Sequence, residues 1–219
     1  DDVPADYENH EVCAKSGSGT DVGEAQVVKV GEYDAAIFID GSQGVTFDLQ
    51  FCVLQFPENA NNAVIKLLRN VDLGSGFVTV DNGSATNPVV IDLNGHLLTS
   101  SHEMYVIYVN SGTGLTICDS GSGGAIVNTR TDSGIGISNY GGTLTVEGGS
   151  ISAKDYAIEN KSGTLTVTGG TFTGRCNAVY NGSEGTATIS GGTFIGVTDG
   201  GSPFYNDGTM ELGCDAGAV

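Results

Sequence analysis

The sequence predicts an all-β fold, a parallel β-helix with about 21–29 residues per coil. Three near-copies of one stretch carry this prediction: GGTLTVEGGSIS from Gly141, GTLTVTGGTFTG from Gly163 and GTATISGGTFIG from Gly185. A repeat of this length is typical of a solenoid, in which each coil buries its apolar side only against neighbouring coils. Apolar and polar residues alternate within each copy, which indicates strands and not helices.

Alternating triplets set the register of the predicted coils, at steps of 29, 21, 22 and 23 residues. The triplets begin at Leu115, Leu144, Leu165, Ala187 and Met210. Within one copy Leu165 and Val167 are predicted to face inward, and Gly169-Gly170 permits a sharp bend before Phe172 restarts the inward pattern. A coil this short has no room for a helix beside its two or three strands, so a parallel β-helix is the fold that remains.

A column of asparagines follows the same register. One asparagine ends the apolar stretch before each repeat: Asn110, Asn139, Asn160, Asn181 and Asn206. Asparagine tolerates a left-handed backbone, and its amide can bond the coils above and below at a spacing of about 4.8 Å. The alternative is N-glycosylation, since Asn82, Asn160 and Asn181 begin acceptor motifs. A structural ladder is the better interpretation, because it explains all five positions and the acceptor motif explains two of them.

Motifs upstream of the repeats extend the pattern, and their order makes the resemblance to a known group of proteins specific. IKLLRNVDL (65–73), VVIDLNGHLLT (89–99) and GLTICDSGSGG (114–124) precede the GTLTVxGGTFTG repeats. In this order the motifs resemble a group of secreted and cell-surface proteins of gut bacteria. Those proteins have a right-handed parallel β-helix like that of the pectate-lyase superfamily. The resemblance covers residues 64–212 and implies a right-handed coil and an extracellular, adhesin-like or glycan-contacting module.

Residues 1–63 depart from the repeat and carry a net charge of −10. The first coil of a β-helix presents an unpaired strand edge that needs a cover. We therefore expect residues 1–63 to form an N-terminal cap and residues 64–219 to form the β-helix. The segment 46–62 fits a helix and a strand equally and is expected to be the cap itself, with a divergent coil over residues 27–40.

Composition and charge exclude several classes of partner. Lys and Arg number 8 against 26 Asp and Glu, and a net charge of −18 repels nucleic acid and anionic membranes. No run approaches 18 apolar residues, so no membrane insertion is expected. The cysteines show no metal-binding spacing, and small buried thiols fit them better than disulfides: Cys13, Cys52, Cys118, Cys176 and Cys214.

A polysaccharide lyase or glycoside hydrolase is the alternative function class for this fold. A lyase needs a strongly basic residue beside calcium-binding acids. The arginines are Arg69, Arg130 and Arg175, and nothing clusters around Arg130 in the NTRTDSG segment or around Arg175 in the GRCN corner. A hydrolase needs two or three converging carboxylates. The following aspartates share no register: Asp92, Asp119, Asp132, Asp155 and Asp199. Only Asp119 and Glu147 fall on neighbouring outward positions, where solvated acids are the simpler interpretation.

The remaining candidates point to structure more than to chemistry. His96 in LNGH is expected to make a structural hydrogen bond at a turn, and His10 and His102 have no partner in view. Outward threonines form a TxT array of a kind that can order water or bind ice, although threonine is also a common exposed strand residue. No DxDxDG or GGxGxD loop is present, so we expect no cofactor, with calcium as the open alternative.

Taken together, these observations predict a non-enzymatic, secreted or surface-displayed module. We expect a monomer that presents an extended solenoid face to a glycan or to a host or surface protein. One alternative is a carbohydrate-active enzyme whose site lies on the inserted turns 128–138 or 199–207. The other is a structural spacer within a larger surface protein.

Overall fold

A computed structural model describes residues 35–39, 42–47, 53–54, 64–81, 83–197, 202–213 and 217–218. Within these ranges the chain forms β-strands and no helix. Parallel pairing stacks the strands into a β-solenoid of about 6 turns. The all-β, parallel solenoid predicted from the repeats is confirmed.

The strands form two sheets. The larger sheet has thirteen strands: β1 (Ala35–Ile39), β2 (Ser42–Phe47), β3 (Val53–Leu54), β4 (Val64–Leu67), β6 (Val78–Val80), β7 (Val89–Asp92), β9 (Tyr105–Val109), β10 (Gly114–Cys118), β12 (Ile135–Val146), β14 (Tyr156–Val167), β16 (Asn177–Ile189), β18 (Phe204–Asn206) and β19 (Thr209–Leu212). The smaller sheet has seven strands: β5 (Val71–Asp72), β8 (Leu97–Ser100), β11 (Ala125–Asn128), β13 (Ser150–Ala153), β15 (Thr171–Gly174), β17 (Thr193–Gly196) and β20 (Gly217–Ala218).

The larger sheet bends, so that each coil contributes to three faces. Strands β12, β14 and β16 are 12 or 13 residues long and run through the bend. The register between β12 and β14 is irregular between Asn139 and Thr143, which marks the bend. The first half of β12 pairs with β9 and its second half with β10. The first half of β16 pairs with β18 and its second half with β19, and β14 lies between β12 and β16 and pairs with both along its length.

Aliphatic side chains fill the middle of the solenoid in columns. The first residues of the five predicted triplets lie in one parallel register: Leu115, Leu144, Leu165, Ala187 and Met210. The first three are fully buried, and Ala187 is 1% exposed. In the smaller sheet Phe172 and Phe194 stack in register, with ring centroids 4.8 Å apart and planes at 10°. The predicted bend at Gly169-Gly170 is present, since Gly170 has a φ of +102° that disfavours any other residue.

The N-terminal edge differs from the predicted divergent coil where the structure describes it. Strand β1 runs antiparallel to β4 and pairs antiparallel with β2, so on this face the parallel stack ends at β4. Strand β3 pairs parallel with β6. Residues 64–80 form the three strands β4, β5 and β6. Most of the ambiguous segment 46–62 lies outside the described residues, and the division at residue 63 stays a prediction.

Candidate functional site

Four of the five predicted asparagines form a continuous hydrogen-bonded column at the bend of the larger sheet. Each Nδ2 donates to the Oδ1 of the asparagine in the next coil: Asn139 to Asn160 at 2.8 Å, Asn160 to Asn181 at 2.7 Å and Asn181 to Asn206 at 2.7 Å. The first three are fully buried. A Cβ on Gly185 would come within 2.3 Å of Asn181 Oδ1, so the column also requires glycine beside it.

Asn110 does not belong to this column, contrary to the sequence prediction. Val109 occupies the register position of Asn139, and Val80 lies beside Val109 in the coil before. The turn from β9 to β10 contains one residue more than the equivalent bend in β12, and this extra residue moves Asn110 out of line. Its amide donates instead to Asp81.

Two of the three glycosylation motifs are closed to modification in the folded chain. Asn160 and Asn181 have no exposed surface, and their amides are occupied by the ladder. The third, Asn82, lies outside the described residues.

Two of the aspartates singled out in the sequence, Asp92 and Asp119, hold turns together. Asp92 Oδ1 accepts from the backbone N–H of Asn94 and Ser120, and Asp92 Oδ2 accepts from the Ser120 hydroxyl at 2.6 Å. Asp119 accepts from the N–H of Gly95 at 2.7 Å and of Gly124 at 2.8 Å. Because backbone donors take both carboxylates, these two groups act as turn supports.

Asp119 and Glu147, the two acids at neighbouring outward positions in the sequence, do not stack in register. The N–H of Glu147 bonds the carbonyl of Ile117, which places Glu147 beside Cys118 in the neighbouring coil. Asp119 falls one position further on, beside Gly148.

The inserted turn 128–138 is held by its own residues and its neighbours. Arg130 makes two hydrogen bonds to the Asp132 carboxylate, at 2.9 and 2.7 Å, and this contact holds the pKa of Asp132 below its usual value. The Asn128 amide donates to the carbonyls of His102 and Ile135. Asp155 accepts from the N–H of Gly134. Part of the other inserted turn, 199–207, lies outside the described residues.

The two described histidines differ in their surroundings. The backbone N–H of His96 bonds the Leu93 carbonyl across a turn in which Asn94 has a φ of +49°. The hydrogen bond expected of His96 is thus a backbone one. His102, for which the sequence suggested no partner, accepts on Nδ1 from the N–H of Met104 and Tyr105 and lies against the Phe77 ring at 4.5 Å.

The two described cysteines are unpaired thiols and are not fully buried, which corrects the expectation for these positions. Cys176 is exposed, and Cys118 is half-buried. Burial, followed by the nearby carboxylates of Asp92, Glu147 and Asp119, raises the pKa of Cys118 from 9.0 to about 11. The other three cysteines lie outside the described residues.

Aromatic side chains gather on the outward side of β9, β18 and the first halves of β12, β14 and β16, which we call the tyrosine face. It holds every tyrosine that the structure describes: Tyr105, Tyr108, Tyr140, Tyr156, Tyr180 and Tyr205. One cluster links Phe77, His102, Tyr105, Tyr108 and Tyr140 through ring centroids 4.5–6.1 Å apart. A second cluster joins Tyr180 to Tyr156 and to Tyr205, each at 5.1 Å.

A polar pair separates the two aromatic clusters. Tyr108, Ser138, Glu159, Tyr180 and Tyr205 follow one another in parallel register. The Ser138 hydroxyl donates to Glu159 Oε2 at 2.8 Å. Glu159 is half-buried, and its other carboxylate oxygen accepts no hydrogen bond from a described residue.

Four tyrosines of this face have a raised pKa: Tyr105, Tyr108, Tyr156 and Tyr205. Burial raises the pKa of Tyr105, Tyr108 and Tyr156. The carboxylate of Glu159 raises the pKa of Tyr108 and of Tyr156 further, and Asp81 adds to the effect at Tyr108 and Asp155 at Tyr156. The Tyr205 hydroxyl donates to Asp207 at 3.1 Å, which raises its pKa as well. The face thus offers hydrogen-bond donors beside aromatic rings.

The outward side of the strands beyond the bend is different, and we call it the threonine face. Two columns of threonines lie in register there: Thr143, Thr164, Thr186 and Thr209 in one, and Thr116, Thr145, Thr166 and Thr188 in the other. The regular TxT array predicted from the sequence is present. Gly114 and Glu211 interrupt it at its two ends.

Within the described part of the chain, no three His, Cys, Asp or Glu side chains are placed to hold a metal ion. None of the described residues belongs to a helix long and apolar enough to cross a membrane.

The fold defines the chain as a member of the class of parallel β-solenoid proteins. No protein-family profile matches the sequence, and no curated protein or solved structure is significantly similar to it. The function must therefore be argued from the faces themselves.

The tyrosine face was missed by the sequence reasoning, although a signal for part of it exists. Tyr180 and Tyr205 each directly precede a ladder asparagine, and Glu159 and Ser138 hold the same position in their coils. Aligning the residues before these four asparagines predicts the part of the column from Ser138 to Tyr205 and misses Tyr108.

Proposed function

We propose that the chain is a non-enzymatic binding module outside the cell which contacts an extended glycan along its tyrosine face. The supporting observation is the gathering of six tyrosines on one side of the solenoid. Tyrosine joins a flat apolar ring to a hydroxyl group, so one side chain can contact sugar C–H groups and bond sugar hydroxyls. A solenoid presents such side chains over several coils in a straight, extended array.

The exposure of the six tyrosine side chains also supports a glycan contact on the tyrosine face. Tyr140 and Tyr205 are 48% and 45% exposed, and the other four tyrosines are half-buried. The partly covered rings are fixed by their neighbours and lose little freedom when a ligand binds. Binding is favoured over catalysis because Asp92 and Asp119 are occupied by backbone N–H groups and Arg130 by Asp132.

The test is binding to an array of plant, microbial and mucin glycans, followed by affinity measurement for the glycans retained. A Tyr108→Ala/Tyr180→Ala variant should bind about 10-fold or more weakly, because truncating buried aromatic anchors has the largest effect in most interfaces. The matched control is Thr145→Ala/Thr166→Ala, which changes the threonine face in neighbouring coils and should bind like the unchanged chain.

Three results would contradict the proposal. They are no retained glycan, equal loss of affinity in both double variants, and release of new reducing or unsaturated sugar ends from a bound glycan. The last result would assign the chain to the carbohydrate-active enzymes. Circular dichroism of each variant establishes that the strands are intact.

A further inference from the structure

The charges around the tyrosine face are mainly negative. Glu159 lies between the two aromatic clusters, and Asp207 accepts a hydrogen bond from the Tyr205 hydroxyl. The negative charges of Asp81 and Asp155 raise the pKa of Tyr108 and of Tyr156 respectively. A polyanionic ligand such as a polyuronate would meet repulsion here, and the whole chain, at −18, adds to it.

The face already holds one ammonium group against an aromatic ring. Lys161 Nζ lies 5.6 Å from the centroid of the Tyr140 ring. This distance is within the range in which the ring quadrupole attracts a cation. The contact is one cation–ring pair on this face, between Lys161 and Tyr140.

Glu159 offers the clearest place for a second ammonium group. One of its oxygens is fixed by Ser138, and the other has no hydrogen-bond partner among the described residues. Glu159 lies in an outward column in which the order is Tyr108, Ser138, Glu159 and Tyr180. Tyr180 is therefore its direct neighbour on one side, and Ser138 lies between Glu159 and Tyr108 on the other. An ammonium group there gains a charge-assisted hydrogen bond and lies beside aromatic rings.

We propose that the tyrosine face takes a linear glycan of amino sugars with free amino groups, one ammonium group bonding Glu159. This proposal rests on the proposed function and narrows its ligand class through charge complementarity. Stacked coils repeat every ~4.8 Å, which is close to the length of one sugar residue in an extended chain, so a glycan parallel to the solenoid axis meets successive coils in step. A basic peptide has the same charge but a shorter repeat per residue.

The experiment measures affinity by calorimetry for four probes, at a pH where sugar amines are protonated. The probes are a glucosamine oligomer, its fully N-acetylated counterpart, an oligogalacturonate and an oligolysine of matched charge. We expect the glucosamine oligomer to bind tightest, at least about 10-fold above the N-acetylated form, since a bond to a charged group exceeds 1.4 kcal/mol. Added salt should weaken this binding.

Matched variants test the role of Glu159. Glu159→Gln keeps an acceptor for Ser138 and removes the charge, so it should lower the affinity for the glucosamine oligomer about 10-fold and leave the N-acetylated oligomer unaffected. Glu147→Gln makes the same change in net charge on the threonine side and should have little effect.

Each contrary result is distinguishable. Equal affinity for both oligomers, lost on substituting Tyr108 and Tyr180, overturns this proposal and retains the proposed function. Tightest binding of oligolysine overturns it in favour of a basic peptide partner. Equal effects of Glu159→Gln and Glu147→Gln also overturn it, because net charge alone would then explain the binding.

Discussion

The tyrosine face and the threonine face are built from the same strands but differ in chemistry. Strands β12, β14 and β16 supply both, on either side of the asparagine ladder. Their inward residues are alike, since Ile158 and Leu165 are both fully buried aliphatic side chains. Outward residues do not fill the core, so the fold leaves their chemistry free to differ. The proposed glycan contact gives a reason for the difference between the two faces.

The threonine face repeats one residue type over four successive coils in each column, as a regular strand surface does. The tyrosine face instead combines aromatic rings, a hydrogen-bonded acid and an ammonium–ring contact at particular coils. A regular row of one residue type is sufficient for neighbouring coils to stack. The proposed specific contact instead needs different side chains at particular coils, as on the tyrosine face.

The largest effect is expected at the bend that joins the two faces. Asn160→Ala removes both ladder bonds of this residue and leaves the Asn181 Oδ1 without its donor in a fully buried site. We expect a loss of about 2–4 kcal/mol in the free energy of unfolding, measured by denaturant titration.

Asn206→Ala is the matched control, because Asn206 is the exposed end of the same ladder and should cost less than about 1 kcal/mol. Hydrogen exchange should rise on both faces in Asn160→Ala. A rise confined to one face would show that the faces are stabilised separately.

A smaller effect should separate the faces themselves. Tyr180→Ala breaks ring contacts with Tyr156 and Tyr205, and aromatic pairs contribute about 0.5–1.5 kcal/mol each, so we expect a loss of about 1–3 kcal/mol. Thr188→Ala, in the same strand but on the threonine face, should change stability by about 0.5 kcal/mol or less. Equal losses would mean that the tyrosine stack adds nothing to the stability of its face.

The smallest effect concerns two thiols on different sides of the solenoid. In variants that keep only one cysteine, Cys118 should react with a disulfide reagent much more slowly at pH 8 than Cys176. The raised pKa leaves little Cys118 thiolate, and Cys176 is exposed. Because the pKa of the Cys118 thiol is raised on folding, the folded chain binds the thiol proton more tightly than the unfolded chain. The resulting contribution of Cys118 to stability is present below pH 9 and is lost as the pH rises through about 11. Faster labelling of Cys118 would contradict the assigned surroundings.

The fold could be predicted because its signals are local. Alternation in LTV and LTI triplets and glycines at the corners specify strands and bends within a single coil, and the triplets then align as predicted. The ladder was predicted for Asn139, Asn160, Asn181 and Asn206 and was wrong for Asn110, since one additional turn residue shifts the register there.

The sequence by itself therefore determined the coil, its inward columns and its bends, because burial of alternate aliphatic residues is encoded within each repeat. Only the tertiary structure decided which outward residues become neighbours. Tyr108 lies two residues before Asn110, whereas Tyr180 lies one residue before Asn181, yet both occupy one column. Register across coils of unequal length brings them together, and no local pattern in the sequence specifies that register.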